Sequence, residues 1–527
     1  MLPELSLRHL DIAAASLLVY LLYRALLGSG LKSSRYRLSS PPGPRSLPFI
    51  GNAHQIPGHF RWLTYMAWNR TFGDIVHAKY YSQDLVIISS PKIACDLLEK
   101  RSEIYSDRAR LIMAGELVGF EKATSFSHYG SAFREKRKLL NKALSARASK
   151  DYWPLQIRET RAQCCRILDS PKDFVAHISR SAAAVVLQVS RGHTLTGMDD
   201  PHLTSAQDVL VIFEKVTRPP GKFLVDSLPW LRYVPSWLPG AGFKRQAAVF
   251  RKELLRLVRE PVESVKRNMQ LGIQPACYIS RSIEYMGGLD KCSKETEENI
   301  MWSAVTLYGG GRDTIVSITK TFFLAMTKYP EVQKKAQAEV DRVTGGVRLP
   351  EFEDRDRMPY VNAIFKESLR WRPPSPLGVP HRLTQDDVYD GYVLKKGTSV
   401  IANIWAMCHD ETVYPEPEVF RPERFLEEDG VTSISIPYAK DFGSNVFGFG
   451  RRICAGMHVA DSALWIAIAT SLAVLDILKE VDEDGVEIEP KVECIPGIVI
   501  DHKPWPCRIV PRSEAAAALV RQSVECA

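Results

Sequence analysis

The sequence predicts a mainly α-helical fold with small β-sheets, preceded by an N-terminal membrane-anchor helix. Three observations carry that expectation. Runs with helical apolar periodicity dominate the body of the chain. Short strand-like runs cluster in two places, early and again after Pro373. A long apolar run stands near the N-terminus. Strands and helices do not alternate regularly, which argues against a parallel α/β sheet. The 527 residues, 45% hydrophobic and 25% charged, suit a globular protein with a large core.

The anchor is assigned to residues 1–31. Ile12–Tyr23 reads IAAASLLVYLLY without a charge, Arg24 interrupts, and ALLGSGL continues to Leu31. A membrane span needs roughly 20 mainly apolar residues, and one arginine can snorkel to the interface. Lys32, Arg35 and Arg37 follow, and positive flanks stay on the cytoplasmic side, so the bulk of the chain is expected in the cytosol. A cleaved signal peptide is the competing reading, but no clear small-x-small cleavage site precedes the basic stretch. Residues 32–52 are basic and Pro-rich. Their PPGPRSLPFIGN, Pro41–Asn52, reads as a stiff spacer or as a plain linker.

Residues 53–527 form the body. Helical patterns cover Phe243–Met269, Glu297–Lys328, Pro330–Thr344, Tyr360–Trp371 and Gly456–Leu478, and Glu214–Val216 runs into a Pro-rich break. Strand-like pieces are Ile75–Tyr81, Leu85–Ser89, Val388–Val393 and Ser399–Trp405. There is no low-complexity tract and no repeat of fixed period.

Composition narrows the function. The net charge of +8 suits an anionic membrane surface or an acidic protein partner. No dense Lys/Arg run is interleaved with aromatics, so no nucleic-acid partner is expected. The ten cysteines form no CxxC pair and no CxxCH, which argues against a disulfide scaffold and against covalent c-type haem. GxxxxGK[ST] and HExxH are also missing.

One cysteine stands out. FGFGRRICAG, Phe447–Gly456, carries the frame Phe447-x-x-Gly450-x-Arg452-x-Cys454-x-Gly456. By average residue frequencies it arises by chance in on the order of one in ten thousand chains of this length. Gly450 and Gly456 let backbone approach something flat. Cys454 precedes a long apolar helix, whose N-terminal dipole favours a thiolate. A thiolate beside the Arg452 cation suits haem, which has both an iron and propionates.

In this frame the chain resembles the cytochrome P450 family, the haem-thiolate monooxygenases. The resemblance implies the P450 fold, haem b as cofactor, and Cys454 as the axial thiolate ligand of the iron, with Phe447, Gly450 and Arg452 in the haem cradle. Further motifs extend it over nearly the whole chain. Glu367-Ser-Leu-Arg370 puts two side chains on one helical face; in the family this pair joins a downstream arginine, here Arg424 of FRPERF, in a structural cluster. GGGRDT, Gly309–Thr314, matches the family's distal-helix motif. Each glycine there costs roughly 1 kcal/mol against alanine, and a kink would make room for dioxygen. Thr314 and Asp313 are the implied catalytic pair, Thr314 hydrogen-bonding the oxygen and Asp313 helping deliver protons. YGSAFREKR resembles the family's Trp-x-x-x-Arg helix, with Phe133 in place of the tryptophan and Arg137 kept. In VPHR, His381 would reach a propionate. For Asp313 a solvated helix charge, and for His381 a surface histidine, are the plainer alternatives.

The resemblance implies insertion of one atom of O2 into an apolar small-molecule substrate, with electrons from NADPH–cytochrome P450 reductase, at the endoplasmic reticulum membrane. The pocket is expected to be lined by the loop Ser106–Phe126, with Leu111, Ile112, Met113, Leu117 and Val118; by the Pro-rich break Phe213–Phe243, with Phe223, Leu224, Leu228, Trp230 and Trp237; by Val305 and Leu307; by Ser375–Val379; and by Gly497–Val499. The stretch Arg218–Gly240 resembles fungal, mushroom-type enzymes of secondary metabolism, so a terpenoid is the first expectation for substrate. A broad-range oxidase of polycyclic aromatics or steroids is the second. A non-oxidative haem-thiolate isomerase, or a non-catalytic haem protein, would not need Thr314.

Overall fold

The computed structural model describes residues 39–197, 199–217, 223–436 and 445–525. The expected anchor, the start of the hinge and residues 218–222 of the Pro-rich break lie outside the described residues. The longer helices are α1 (Arg61–Phe72), α2 (Ser131–Leu144), α3 (Trp153–Asp169), α4 (Phe174–Arg191), α5 (Pro201–Thr217), α6 (Gly242–Gln270), α7 (Tyr278–Tyr285), α8 (Lys294–Lys328), α9 (Pro330–Thr344), α10 (Pro359–Trp371), α11 (Met457–Val474) and α12 (Glu514–Glu525). The strands are β1 (Ile75–Tyr80), β2 (Gln83–Ile88), β3 (Asp107–Arg108), β4 (His381–Arg382), β5 (Asp387–Tyr389), β6 (Tyr392–Leu394), β7 (Ser399–Ala402), β8 (Leu475–Lys479), β9 (Cys494–Ile495), β10 (Asp501–His502) and β11 (Cys507–Pro511). Helices dominate and the sheets are small, as the periodicity predicts.

The central element is α8, 35 residues long. Ser293 caps it by accepting the Thr296 amide at 3.2 Å, and Glu295 and Glu297 in the first turn suit the helix dipole. It ends at Tyr329, ahead of Pro330, where a following proline disfavours helix. Its C-terminal half, Ile315 to Thr327, is buried on nearly every side in the largest core cluster, which also takes up α10 and α11. Helix α11 is apolar all round for the same reason. It is long and apolar enough to cross a membrane by composition, and 72% of that window is buried in the protein. By contrast α6 buries one stripe, Leu254, Leu257, Val258, Val262 and Val265, at helical spacing.

A five-stranded sheet runs in the order β1-β2-β7-β4-β3, with β2 and β7 parallel and the other pairs antiparallel. Its register matters for the site, because Arg108 of β3 lies directly opposite His381 of β4.

Several boundaries differ from expectation. The helix expected through Leu478 stops at Val474, and Leu475–Lys479 pairs with β11 instead. The single strand expected over Val388–Val393 is a hairpin, β5 to β6, turned at Asp390 and Gly391 with φ of 49° and 76°. The strand expected to Trp405 ends at Ala402; Asn403 then caps a short helix, Ile404–Cys408, by accepting the Ala406 amide. The described part of the hinge is docked on the body rather than free. Pro42 O accepts the His77 amide at 2.9 Å, and Asn52 exchanges hydrogen bonds with Lys79. A Cβ at Gly43 would lie 1.9 Å from His77 O, so only glycine allows that approach.

Candidate active site

The loop before α11 folds back on itself. The Cys454 amide donates to Phe447 O at 2.8 Å, and Arg452 and Ile453 donate to Phe449 and Gly450 carbonyls. Gly450 has φ of +56°, and a Cβ there would lie 2.0 Å from Leu98 O. Gly450 thus allows a close approach to the backbone at Leu98. Phe447 packs at the edge of the main core. Alone among the described cysteines, Cys454 is exposed. Burial of its sulfur pushes the thiol pKa up, while the Gly456 amide and the Arg137 guanidinium push it down.

Around this loop sit three arginines. Arg452 is buried and donates through Nε to Ser106 O at 2.7 Å, Nη1 to Thr124 O at 3.1 Å and Nη2 to Ser127 O at 2.7 Å. One N–H on each terminal nitrogen is left over. Arg137 of α2 donates to Ile453 O at 2.7 Å. Arg108 of β3 donates to Ser125 O at 2.9 Å and to Val379 O. Burial, then mutual repulsion, lowers the pKa of Arg108 well below its usual value, and burial lowers Arg452 to about 10. Among the described residues no carboxylate forms an ion pair with Arg108, Arg137 or Arg452. The buried hydroxyls of Ser106 and Thr124 have no hydrogen-bond partner. Three clustered cations and two orphaned hydroxyls beside the Cys454 thiol fit a metal-bearing group with two carboxylates.

His381 is buried rather than at the surface. Its Nδ1 lies 2.9 Å from Tyr105 O, and burial, then Arg108, holds its pKa well below the usual histidine range. Phe133, at the position where the motif expects tryptophan, lies flat under Arg452, whose guanidinium carbon is 3.6 Å from the ring centroid.

Behind the loop, Glu367, Arg370 and Arg424 come together as the motif implies. Arg370 donates to Glu367 through Nε at 2.6 Å and Nη2 at 2.8 Å; Arg424 Nε adds 3.1 Å, and the Arg421 amide 2.8 Å. Glu367 and Arg370 are fully buried. Burial opposes the Arg370 charge, but the Glu367 carboxylate outweighs it and raises the pKa.

On the other side lies a cavity of about 300 Å³ walled by α4, α5, α6 and α8 and by the segments at Ser375, Val379, Ile498 and Val499. Asp313 and Thr314 face it. Helix α8 is continuous through Gly309–Gly311, so the expected kink is not a break in the helix. Instead Gly311 lets α4 close in, since a Cβ there would lie 3.1 Å from Val186, while Gly310 faces open space. Thr314 Oγ1 donates to Gly310 O at 2.7 Å. Asp313 accepts from Arg312 Nη1 at 2.7 Å; its pKa is raised by burial, which outweighs the neighbouring guanidinium.

Of the expected lining residues, Val305, Ser375, Val379, Ile498 and Val499 face the cavity. Ile112, Met113 and Val118 are core instead, and Leu224, Leu228, Trp230 and Trp237 are on the surface, because the Pro-rich break lies outside the helices that close the cavity. Within the expected regions Ser106–Phe126 and Phe213–Phe243 it is Phe120, Phe126 and Phe213 that reach the cavity, their rings packed together on its wall. Sequence reasoning missed Arg108, which only the β3–β4 pairing brings to His381.

Comparison with known proteins agrees with this geometry. Residues 41–499 match the family model described as Cytochrome P450. The chain is 41% identical over 486 residues to cytochrome P450 monooxygenase claR of Ampulloclitocybe clavipes, covering 92% of this chain and 89% of that one. It is 41% identical over 512 residues to cytochrome P450 monooxygenase 208 of Postia placenta, covering 97% of each. A monooxygenase of Armillaria gallica is 36% identical over 517 residues, 97% of this chain and 100% of the relative.

Proposed function

The chain belongs to the cytochrome P450 family, and on that premise we propose that it oxygenates a bulky apolar substrate, tailoring a fungal secondary metabolite such as a terpenoid. It is a cytochrome P450 monooxygenase, an oxidoreductase, and its cofactor is haem held through a thiolate. The observation that carries the substrate reading is the mostly apolar cavity with Thr314 and Asp313 on its wall. Its volume of about 300 Å³ lies at the lower end of ligand pockets.

Haem, when bound, supplies the activation of O2 by two electrons, so that one oxygen atom enters the substrate and the other leaves as water. The chain's residues do the rest. Cys454 would supply the thiolate. Arg108, Arg137 and Arg452, with His381, would hold the propionates, and Arg452 has one N–H left on each terminal nitrogen for that purpose. The apolar wall binds substrate and excludes water. Thr314 Oγ1 holds a proton at the cavity and can turn it from Gly310 O toward the reacting atoms. Asp313, its pKa raised by burial, is the proton source proposed beside it on the cavity wall.

The protein is expected to draw electrons from NADPH–cytochrome P450 reductase and to sit in the endoplasmic reticulum membrane through residues 1–31. Exposed apolar side chains at Phe49, Trp230 and Trp237, 73%, 61% and 76% exposed, support a membrane-facing surface. The test is turnover in membranes with a fungal reductase, NADPH and isotopically labelled dioxygen, offered sesquiterpenes, diterpenes, pyrene and a steroid. One labelled oxygen in a terpenoid product is expected. Oxidation of pyrene or the steroid but of no terpenoid would overturn the substrate in favour of a broad-range oxidase.

A further inference from the structure

One wall of the substrate cavity is polar. Arg191, the last residue of α4, and Tyr308 of α8 both line it. Arg191 Nε and Nη1 and the Tyr308 hydroxyl are buried without a hydrogen-bond partner. No described carboxylate pairs with Arg191; Glu260 and Asp200 act on it only from farther away. Asp200 is occupied by His193 and Thr196, and Asp313, on the same cavity, by Arg312. Burial lowers the Arg191 pKa to about 10, which leaves it a cation at neutral pH. Burial pushes Tyr308 up to about 12, so its hydroxyl keeps the proton and donates.

A buried guanidinium without a counter-charge is strongly destabilising, and a wholly apolar ligand would leave it so. We propose that the substrate carries a carboxylate at the end remote from the oxidised carbon, and that Arg191 and Tyr308 bind it. The guanidinium fork meets the two carboxylate oxygens, and the phenol donates a third hydrogen bond. Val209, Leu210, Val258 and Val262 hold the apolar skeleton between. Tyr308 and Thr314 are six residues apart on α8, a rise of about 9 Å, so the oxidised carbon lies far from the acid. The substrate class is an amphipathic carboxylic acid, with a terpenoid or fatty skeleton. This rests on the cavity being the substrate site above the iron.

The test uses the haem-loaded full chain and probes that coordinate iron whatever the natural substrate is. They are ω-imidazolyl alkanoic acids with chains of roughly six to twelve carbons, which bracket that helical rise, and the 1-alkylimidazoles of equal length. Binding is read from the Soret shift on azole coordination. At one length or more the acid should bind about tenfold tighter than its alkyl counterpart. R191Q should abolish that preference and leave alkylimidazole affinity within about twofold; Y308F should reduce the preference about threefold. Acids no tighter than alkyl chains at every length, a preference that survives R191Q, or equal weakening of both probes would overturn the proposal. If R191Q fails to retain haem, Y308F decides, and an undiminished preference there overturns it. Alkylimidazoles that produce no Soret shift would take down the substrate-site reading as well.

Discussion

Glu367 makes four hydrogen bonds where it is fully buried, and two arginines depend on it for their charge. The Glu367→Gln variant keeps the shape but leaves Arg370 and Arg424 with a neutral partner. Breaking a buried pair costs about 3–5 kcal/mol, against a typical total of about 5–15 kcal/mol. The variant is expected to lose that much in denaturant unfolding and to retain haem poorly; an unfolding midpoint equal to wild type would contradict the clamp. Thr314 does a different kind of work. Thr314→Ala removes a cavity hydroxyl with little effect on packing. NADPH consumption should continue while product per NADPH falls about tenfold or more, and unchanged coupling would remove Thr314 from proton handling. These residues were legible because each sits in a short local frame. Arg108 was not. It lies one residue past Asp107 in an unremarkable stretch, and its place among the cations comes from pairing with a strand far along the chain. The Phe133 substitution was legible as a lost donor, but its stacking on Arg452 is a contact between distant segments.

Helix α8 tolerates three glycines because each meets a different environment. Replacing glycine by alanine inside a helix gains about 1 kcal/mol in backbone terms. At Gly310 nothing lies within 4 Å of the new Cβ, so Gly310→Ala should realise most of that gain while narrowing the cavity. At Gly311 the Cβ falls 3.1 Å from Val186, a buried side chain of α4. Gly311→Ala must push the helices apart, and overpacking costs about 1–3 kcal/mol. The expected order in thermal unfolding is Gly310→Ala above wild type and Gly311→Ala below it, with Val186→Ala restoring the second. Equal effects at both positions would refute the packing account. Sequence periodicity found α6, α8, α9 and α10 nearly to the residue, because each has one run of helical spacing, and α8, α9 and α10 also have a proline or cap at an end. It failed at the end of α11. Leu475 and Ile477 are buried whether the chain is helix or strand, so apolar character does not distinguish them. It also failed at Asn403, where a cap turned a strand into a short helix.

For the whole molecule, motif order along the chain announced the fold, but the reach of the cavity between α4, α5 and α6 depends on how helices pack and left no local mark. The histidines are a second global property that emerges only on folding. Burial, reinforced by nearby guanidinium or ammonium groups, lowers His409 and His502 to about 3 each. His177 and His202 are lowered too, by burial first. His128 runs the other way, raised by its hydrogen bond to Asp107. In the unfolded chain all of them titrate near 6.5. Between that value and about 3 the unfolded state therefore binds more protons than the folded state at His409 and His502. Their contribution is complete above pH ~6.5 and is lost as pH falls, with a slope approaching ~1.4 kcal/mol per pH unit for each. Carboxylates with lowered pKa values, such as Asp84 and Asp354, begin to matter only near pH ~4. The window from about pH 6.5 to 5 thus belongs to the histidines. Melting temperature should fall below pH ~6. His502→Gln, which keeps a partner for Thr321, should make that fall shallower. A melting temperature constant from pH ~7 to ~5 would mean that the buried rings find water or a counter-charge on protonation, and that folding does not hold them neutral.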